Sequence, residues 1–345
     1  MSKKQTIIRI ALVAGTAAVL ALLIFFVVTS AKRPQQTPDE PLSDLAAAKS
    51  NETMNLLVVG ADRTAGLHDV IMLLHVDLTV PRAVLLQLPR DTYAAYTDTS
   101  YRKLNGASHA LGGEAALCEF LSASLGVTID RYVSLDADAL SDVVDAIGGV
   151  EITLPEALHY EDPAQALSIH LPAGTQTLDG KTAEYFVRYR IGYVRGDLGR
   201  MDAQKLFLAA LAQKVKNTLT LPSALKLLGT VLPQTNTDLT LFEGARLLRA
   251  AFAMDGEQIC MLTAPGEEAV ATQSGASYYA LSAPAMNEVL VRYFGAAEGK
   301  FDLEKKFCNP RYQSFCDIYN GYCPYAVYSL GEISEEGLEI EKRNR

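Results

Sequence analysis

Short apolar runs closed by polar turns dominate the start of the folded chain. Asn55–Asp62 (NLLVVGAD) is apolar up to Gly60, which predicts a buried strand ending in a loop. Val70–Leu78 and Ala83–Asp91 repeat that pattern on either side of Thr79–Arg82 and predict a hairpin. The Ala- and Leu-rich stretch Gly106–Leu125 predicts a helix. Arg131–Asp136 predicts a strand, Ala137–Ile147 a helix and Gly149–Leu154 a further strand. Asp179 is placed to cap a short helix leading into Phe186–Arg190. Beyond it, a strongly apolar helix is expected from Arg200 to about Leu219, with further helices over 222–232, 240–253 and Pro284–Phe294, and a strand over Gln258–Leu262. Strands alternating with helices indicate an α/β fold, a central mixed β-sheet covered by helices on both faces.

The ends of the chain break the pattern. Ile10 to Thr29 is uncharged and mostly apolar, long enough to span a bilayer as one helix. Lys3, Lys4 and Arg9 precede it, and the expected topology is a cytoplasmic N-terminus with the large domain outside the cell membrane. A cleaved signal peptide is the competing reading, with Thr29-Ser30-Ala31 as a weak cleavage site. The expected organisation is a cytoplasmic tail (1–9), a transmembrane helix (10–29), a Pro-containing linker (30–51), an extracytoplasmic domain (52–298) and a Cys- and Tyr-rich tail (299–345).

Composition narrows the function. Of 345 residues 49% are hydrophobic, so a sizeable core is expected. The net charge of −9 argues against a generic nucleic-acid binder. Five cysteines are an odd number for an exported chain, so at least one is free or pairs with another chain, while Cys308, Cys316 and Cys323 have the means for one disulfide.

Against that acidic background, one basic stretch stands out: Arg188–Lys205, RYRIGYVRGDLGRMDAQK. On an extended segment Arg188 and Arg190 share a face. If a helix begins near Gly199, Arg200 and Gln204 share a face of its first turns, with Asp197 at its mouth. Several guanidinium groups beside a helix N-terminus suit a polyphosphate anion; a solvated charged loop is the other reading of this stretch alone. Gly60-Ala61-Asp62 and His68-Asp69 offer two carboxylates at strand ends, which by themselves read first as ordinary loop capping and second as a Mg²⁺ site. Leu88–Tyr93 (LPRDTY) sets Arg90 just past a buried strand, and Lys103-Leu104-Asn105-Gly106 opens a helix.

In this order, NLLVVGAD, HDVIMLLHVD, LLQLPRDTY, KLNGAS, RYVSLDADALSDVVDAIGGVEITLP, AGTQTLDGKTAEYFVRYR and GDLGRMDAQKLF together resemble the LytR–CpsA–Psr family of bacterial cell-wall proteins, over about residues 52 to 220. The resemblance implies transfer of a polyprenyl-pyrophosphate-linked glycopolymer, such as a teichoic acid or capsule, to peptidoglycan. It implies that Asp62 and Asp69 hold Mg²⁺, with Mn²⁺ as a substitute. Asp69, Arg90, Arg188 and Arg190 would be the catalytic set. Lys103, Asp197, Arg200 and Gln204 would complete the pyrophosphate pocket, and the polyprenyl tail would lie in an apolar channel. The family usually places Arg two residues before the second aspartate, where this chain has Leu67. Arg63 or His68 is then expected to replace the charge; otherwise activity is weakened. A non-catalytic lipid-pyrophosphate sensor or assembly factor, and a pyrophosphatase acting on the same lipids, are the alternatives.

Overall fold

The computed structural model describes residues 53–61, 67–97, 102–162, 167–232, 235–271 and 275–336. The expected span at 10–29, Asp62 and Arg63 lie outside these residues. No helix among the described residues is long and apolar enough to cross a membrane.

The chain begins with strands β1 (Thr53–Ala61), β2 (His68–Asp77) and β3 (Arg82–Gln87), followed by helices α1 (Ala107–Leu111) and α2 (Glu114–Leu125). Then come β4 (Arg131–Asp136), α3 (Ala137–Ala146), β5 (Val150–Leu154), β6 (Leu158–Asp162), β7 (Leu167–Leu171) and β8 (Gly174–Leu178). Helices α4 (Gly180–Arg188), α5 (Asp197–Thr218) and α6 (Leu221–Val231) lead to β9 (Asn236–Thr237) and α7 (Leu241–Ala253). The last elements are β10 (Ile259–Thr263), β11 (Gly266–Ala271), β12 (Ala276–Leu281), α8 (Ala283–Phe294), α9 (Gln313–Asn320), β13 (Val327–Ser329) and α10 (Leu330–Glu336).

Seven strands form the central sheet in the order β13-β10-β3-β2-β1-β4-β9. It is mixed: β1 pairs with β4, and β3 with β10, in parallel, while β2 runs against both its neighbours. Side-chain alternation along β1 divides the core. Leu56 and Val58 face a layer that includes Phe186, Phe207, Leu211, Leu228, Leu247 and Ile333. Leu57 and Val59 face Leu117, Leu121, Val289, Leu290 and Phe294 on the other side. Leu57 sits opposite Leu73 of β2, both fully buried, so truncating either to alanine would cost about 2–5 kcal/mol.

Several expected boundaries shift for local reasons. The helix expected over Gly106–Leu125 is broken at Gly112 and Gly113, whose φ of 101° and 130° no α-helix accepts. Asp179 does cap α4, accepting from the Thr182 amide at 2.8 Å. That helix runs on through Arg188, so Arg188 closes a helix rather than lying on an extended segment with Arg190. Helix α5 starts at Asp197, two residues before the expected Gly199.

The segment after residue 298, which composition sets apart as a tail, is built into the fold as far as Glu336. β13 pairs with β10 as the edge of the main sheet. Phe301, Phe307 and Tyr319 enter the second core layer, and the Lys306 carbonyl accepts from the Ala95 amide at 2.7 Å. Apolar and aromatic residues spaced along a polar stretch supply this packing, and a composition average hides them.

At the root of this segment, burial pushes the Asp302 carboxyl up to about 6, although the Phe307 and Lys306 amides donate to it. Its folded pKa therefore exceeds the unfolded 3.8, and ionisation costs more in the folded protein. The stability this group contributes is complete below the unfolded value and is lost as pH rises through about 6. Chemical denaturation from pH 4 to 7 should show a decline on the order of 2–3 kcal/mol that Asp302→Asn flattens. An unchanged pH profile in the variant would remove Asp302 as its origin.

Candidate functional site

The parallel strands β1, β3, β4 and β10 all end at one edge of the sheet, and β2 begins there. Open α/β sheets bind ligands at that carboxyl edge.

Asp69 reaches this edge through an irregularity. Gly60 pairs with Val70 and Ala61 with His68, so Asp69 has no partner on β1. A bulge of this kind re-aims the side chain of the extra residue. The neighbouring strand is tight, since a Cβ on Gly60 would lie 3.0 Å from that of Val70. Arg90 follows β3 on a fixed turn: Thr92 donates its amide and hydroxyl to the Pro89 carbonyl, and the Asn105 amide donates to the Arg90 carbonyl at 3.0 Å. The third contributor is the start of α5. Its N-cap is Gly196, with φ 54°, and a Cβ on Gly199 would come within 2.6 Å of Tyr193. Backbone fixed in this way sets Asp197 in the first turn, with Arg200 and Gln204 one and two turns along the same face.

These residues form a connected charge cluster. Arg90 is ion-paired with Asp69 and lies 3.4 Å from Asp197 through Nε. Arg200 Nη2 is 2.8 Å from the same Asp197 oxygen and donates to the Asp69 backbone carbonyl at 3.1 Å. The Arg200 side chain is only 5% exposed. Burial, with Arg90 and Arg190 nearby, holds the Arg200 pKa below its ordinary value, against the pull of Asp197 and Asp69. Nε of Arg90 and of Arg200 has no hydrogen-bond partner among the described residues. Two guanidinium groups crowded at a helix N-terminus, balanced only by Asp69 and by an Asp197 carboxylate whose own oxygens lack hydrogen bonds, make an anion-binding arrangement. Asp69, Arg90, Val70, Met72, Gln87, Met201 and Gln204 line a narrow cleft between β2, β3 and α5.

The remaining residues singled out from sequence lie around this cluster in different states. Gln204 donates to the Val187 carbonyl at 3.1 Å, tying α5 to the end of α4. Arg188 turns back to Glu184 at 2.7 Å, a carboxylate also held by Lys181. Arg190 is exposed and close enough to Arg200 to repel it. Lys103 pairs with Asp91 at 2.9 Å, beside Arg90 rather than on the Asp69–Asp197 cluster. His68 is buried on a different side, its nearest ion-pair partner Glu114 at 3.8 Å, and burial lowers its pKa. Burial thus disfavours the charged ring. Lys205 has no motif-based role, yet it is fully buried and donates to Asp202 at 2.7 Å and Thr263 at 2.8 Å. Its sequence signal is a lone lysine in the apolar stripe with Met201 and Ala212.

A Mg²⁺ ion can be weighed against these donors. No group of three or more His, Cys, Asp or Glu gathers among the described residues. Asp69, 39% exposed on its bulge, presents a hard oxygen ligand. One or two carboxylates suit Mg²⁺ when phosphate oxygens and water fill the rest of its shell.

Known proteins share this arrangement of elements. The probable cell wall biosynthesis protein LcpB of Corynebacterium glutamicum is 33% identical over 215 residues, covering 58% of this chain and 50% of that protein. The polyisoprenyl-teichoic acid–peptidoglycan teichoic acid transferase TagV of Bacillus subtilis is 26% identical over 228 residues, covering 65% and 58%. The chain thus spans between half and three-fifths of the length of these two relatives. The crystal structure of B. subtilis TagV has the same fold, with a TM-score of 0.61 at 23% identity over 72% of this chain and 99% of that one. TagT bound to LI-WTA matches at a TM-score of 0.56 and 23% identity over 71% and 90%. The LytR_cpsA_psr family profile matches residues 22–293, most of the chain, and the protein belongs to that family.

Proposed function

We propose that this protein is a membrane-anchored phosphotransferase that attaches a polyprenyl-pyrophosphate-linked glycopolymer to peptidoglycan. The observation that carries this reading is the pair of crowded guanidinium groups, Arg90 and Arg200, sharing Asp197 at the N-terminus of α5 with their Nε donors unused. The relative TagV is a polyisoprenyl-teichoic acid–peptidoglycan teichoic acid transferase, which is the same reaction class. A pyrophosphate oxygen docks at Arg90 and Arg200, and exposed Arg190 closes on it from the rim. The acceptor hydroxyl attacks the phosphorus bonded to the sugar. The bond from that phosphorus to the bridging oxygen breaks, and polyprenyl phosphate leaves with the electron pair. The hydroxyl proton passes to solvent, and Asp69 is freed from Arg90 once the phosphate takes its place. Phosphoryl transfer asks chiefly for such positioning and charge neutralisation.

Asp69, together with Asp62, would hold Mg²⁺ in this scheme, and the ion would neutralise pyrophosphate oxygens. The apolar run 10–29 supports a single-pass anchor, with the N-terminus in the cytoplasm and the domain outside, where the lipid-linked substrate and the wall meet. Leu67 favours one rival, a non-catalytic binder of lipid pyrophosphates.

A synthetic lipid-pyrophosphate sugar and a peptidoglycan acceptor separate the readings. Phosphosugar joined to glycan is the expected product; free phosphosugar would indicate a pyrophosphatase, and unreacted lipid a binder. Arg190→Ala should lower turnover on the order of 10²–10³-fold with little change in melting temperature, because the side chain is exposed. Arg200→Met should abolish turnover and also destabilise by about 3–5 kcal/mol, since it removes a buried ion-pair partner. Equal melting losses in both variants would argue that the arginines serve the fold and not a ligand. Activity should vanish in chelator and return with Mg²⁺ or Mn²⁺; full turnover in excess chelator would exclude the metal. Arg63→Ala should weaken transfer and a further Leu67→Arg should restore much of it. A silent Arg63→Ala, with Leu67→Arg alone switching transfer on, would favour the binder.

A further inference from the structure

Cys308 and Cys316 meet in the segment that backs the Arg90 loop, and neither has a part in the chemistry above. Their sulfurs are 4.0 Å apart. Cys323 lies elsewhere, its sulfur 4.0 Å from Glu267 and its amide on Ser282. We propose that Cys308 and Cys316 are joined by a disulfide in the exported protein, and that this bond braces the loop carrying Arg90.

Three features converge on this pair. The sulfurs need to approach by only about 2 Å to reach bonding distance. The turn leading into Cys308 is strained, because Asp302 and Lys305 have φ of 48° and 53° without being glycine. Such conformations persist only where surrounding structure over-determines them, and a covalent tie at the end of the turn does so. The segment also touches the site's support. Phe315, next to Cys316, packs edge-on against Tyr93 at 5.8 Å, and Lys306 accepts from the Ala95 amide. Tyr93 and Ala95 continue the strip of chain that begins at Arg90.

Closing the bond removes two protons and two electrons from the thiols. The acceptor is the disulfide of an extracytoplasmic thiol oxidoreductase. Cys316, the more exposed of the two, attacks one sulfur of that disulfide and releases its partner thiol. Cys308, 8% exposed, then attacks the Cys316 sulfur and releases the second thiol, leaving the oxidoreductase as its dithiol.

The proposal rests on the extracytoplasmic location given above. Full-length protein isolated from its own cells, quenched in acid and alkylated, should yield linked Cys308–Cys316 peptides, with Cys118, Cys260 and Cys323 alkylated. Reductant should lower its melting temperature by about 5 °C or more. The Cys308→Ser/Cys316→Ser variant should melt at the lower value with or without reductant. Alkylation of both Cys308 and Cys316 in the isolated protein overturns the proposal. Oxidised glutathione added to that thiol form then shows which premise failed. Selective closure of the pair places the fault in the location, and no closure or a different pair places it in the geometry.

Discussion

One carboxylate holds this edge of the sheet together. Asp197 stands between Arg90, at the end of a central strand, and Arg200, one turn into a helix. Two guanidinium groups this close and this far from water repel each other unless an anion sits between them, and losing such a partner costs about 3–5 kcal/mol. Asp197 alone balances one positive charge of the two. Asp69 balances the other at the price of closing the site, because its carboxylate occupies the face of Arg90 that an incoming anion would use. The four side chains are therefore charge-neutral together, and under the proposed function a doubly charged phosphate group would displace Asp69.

That displacement depends on where Asp69 stands. Had β2 kept a regular register against β1, Asp69 would face one side of the sheet like its neighbours. The extra residue at the bulge frees it from the ladder, and its exposure lets it turn toward water. A side chain on such an unpaired position can move without breaking a strand hydrogen bond.

Much of this was legible in the sequence. The hairpin of β2 and β3 announces itself by two apolar runs around a polar turn, and the Asp179 cap and the grouping of Asp197, Arg200 and Gln204 follow from spacing alone. What stayed hidden is of three kinds. Register defects such as the one at Asp69 depend on the partner strand and leave no periodic trace. Side-chain choices, such as Arg188 turning to Glu184 rather than toward Arg190, are decided by which carboxylate is nearer in three dimensions. Strand β5 falls within the expected Gly149–Leu154, but its partner β8, the β6–β7 ladder and the three-residue β13 are too short for alternation to register above their loops.

The two edges of the central sheet are closed by its shortest strands, β9 with two residues and β13 with three. Long open edges invite pairing between molecules, and short terminal strands are a common defence. The family match ends at residue 293, whereas β13 begins at Val327. A chain cut where the family similarity ends would keep every arginine of the cluster. It would also bare the outer rim of Ile259–Thr263, a five-residue apolar ladder with no neighbour. Val327–Ser329 thus covers that rim and keeps it from pairing with another chain.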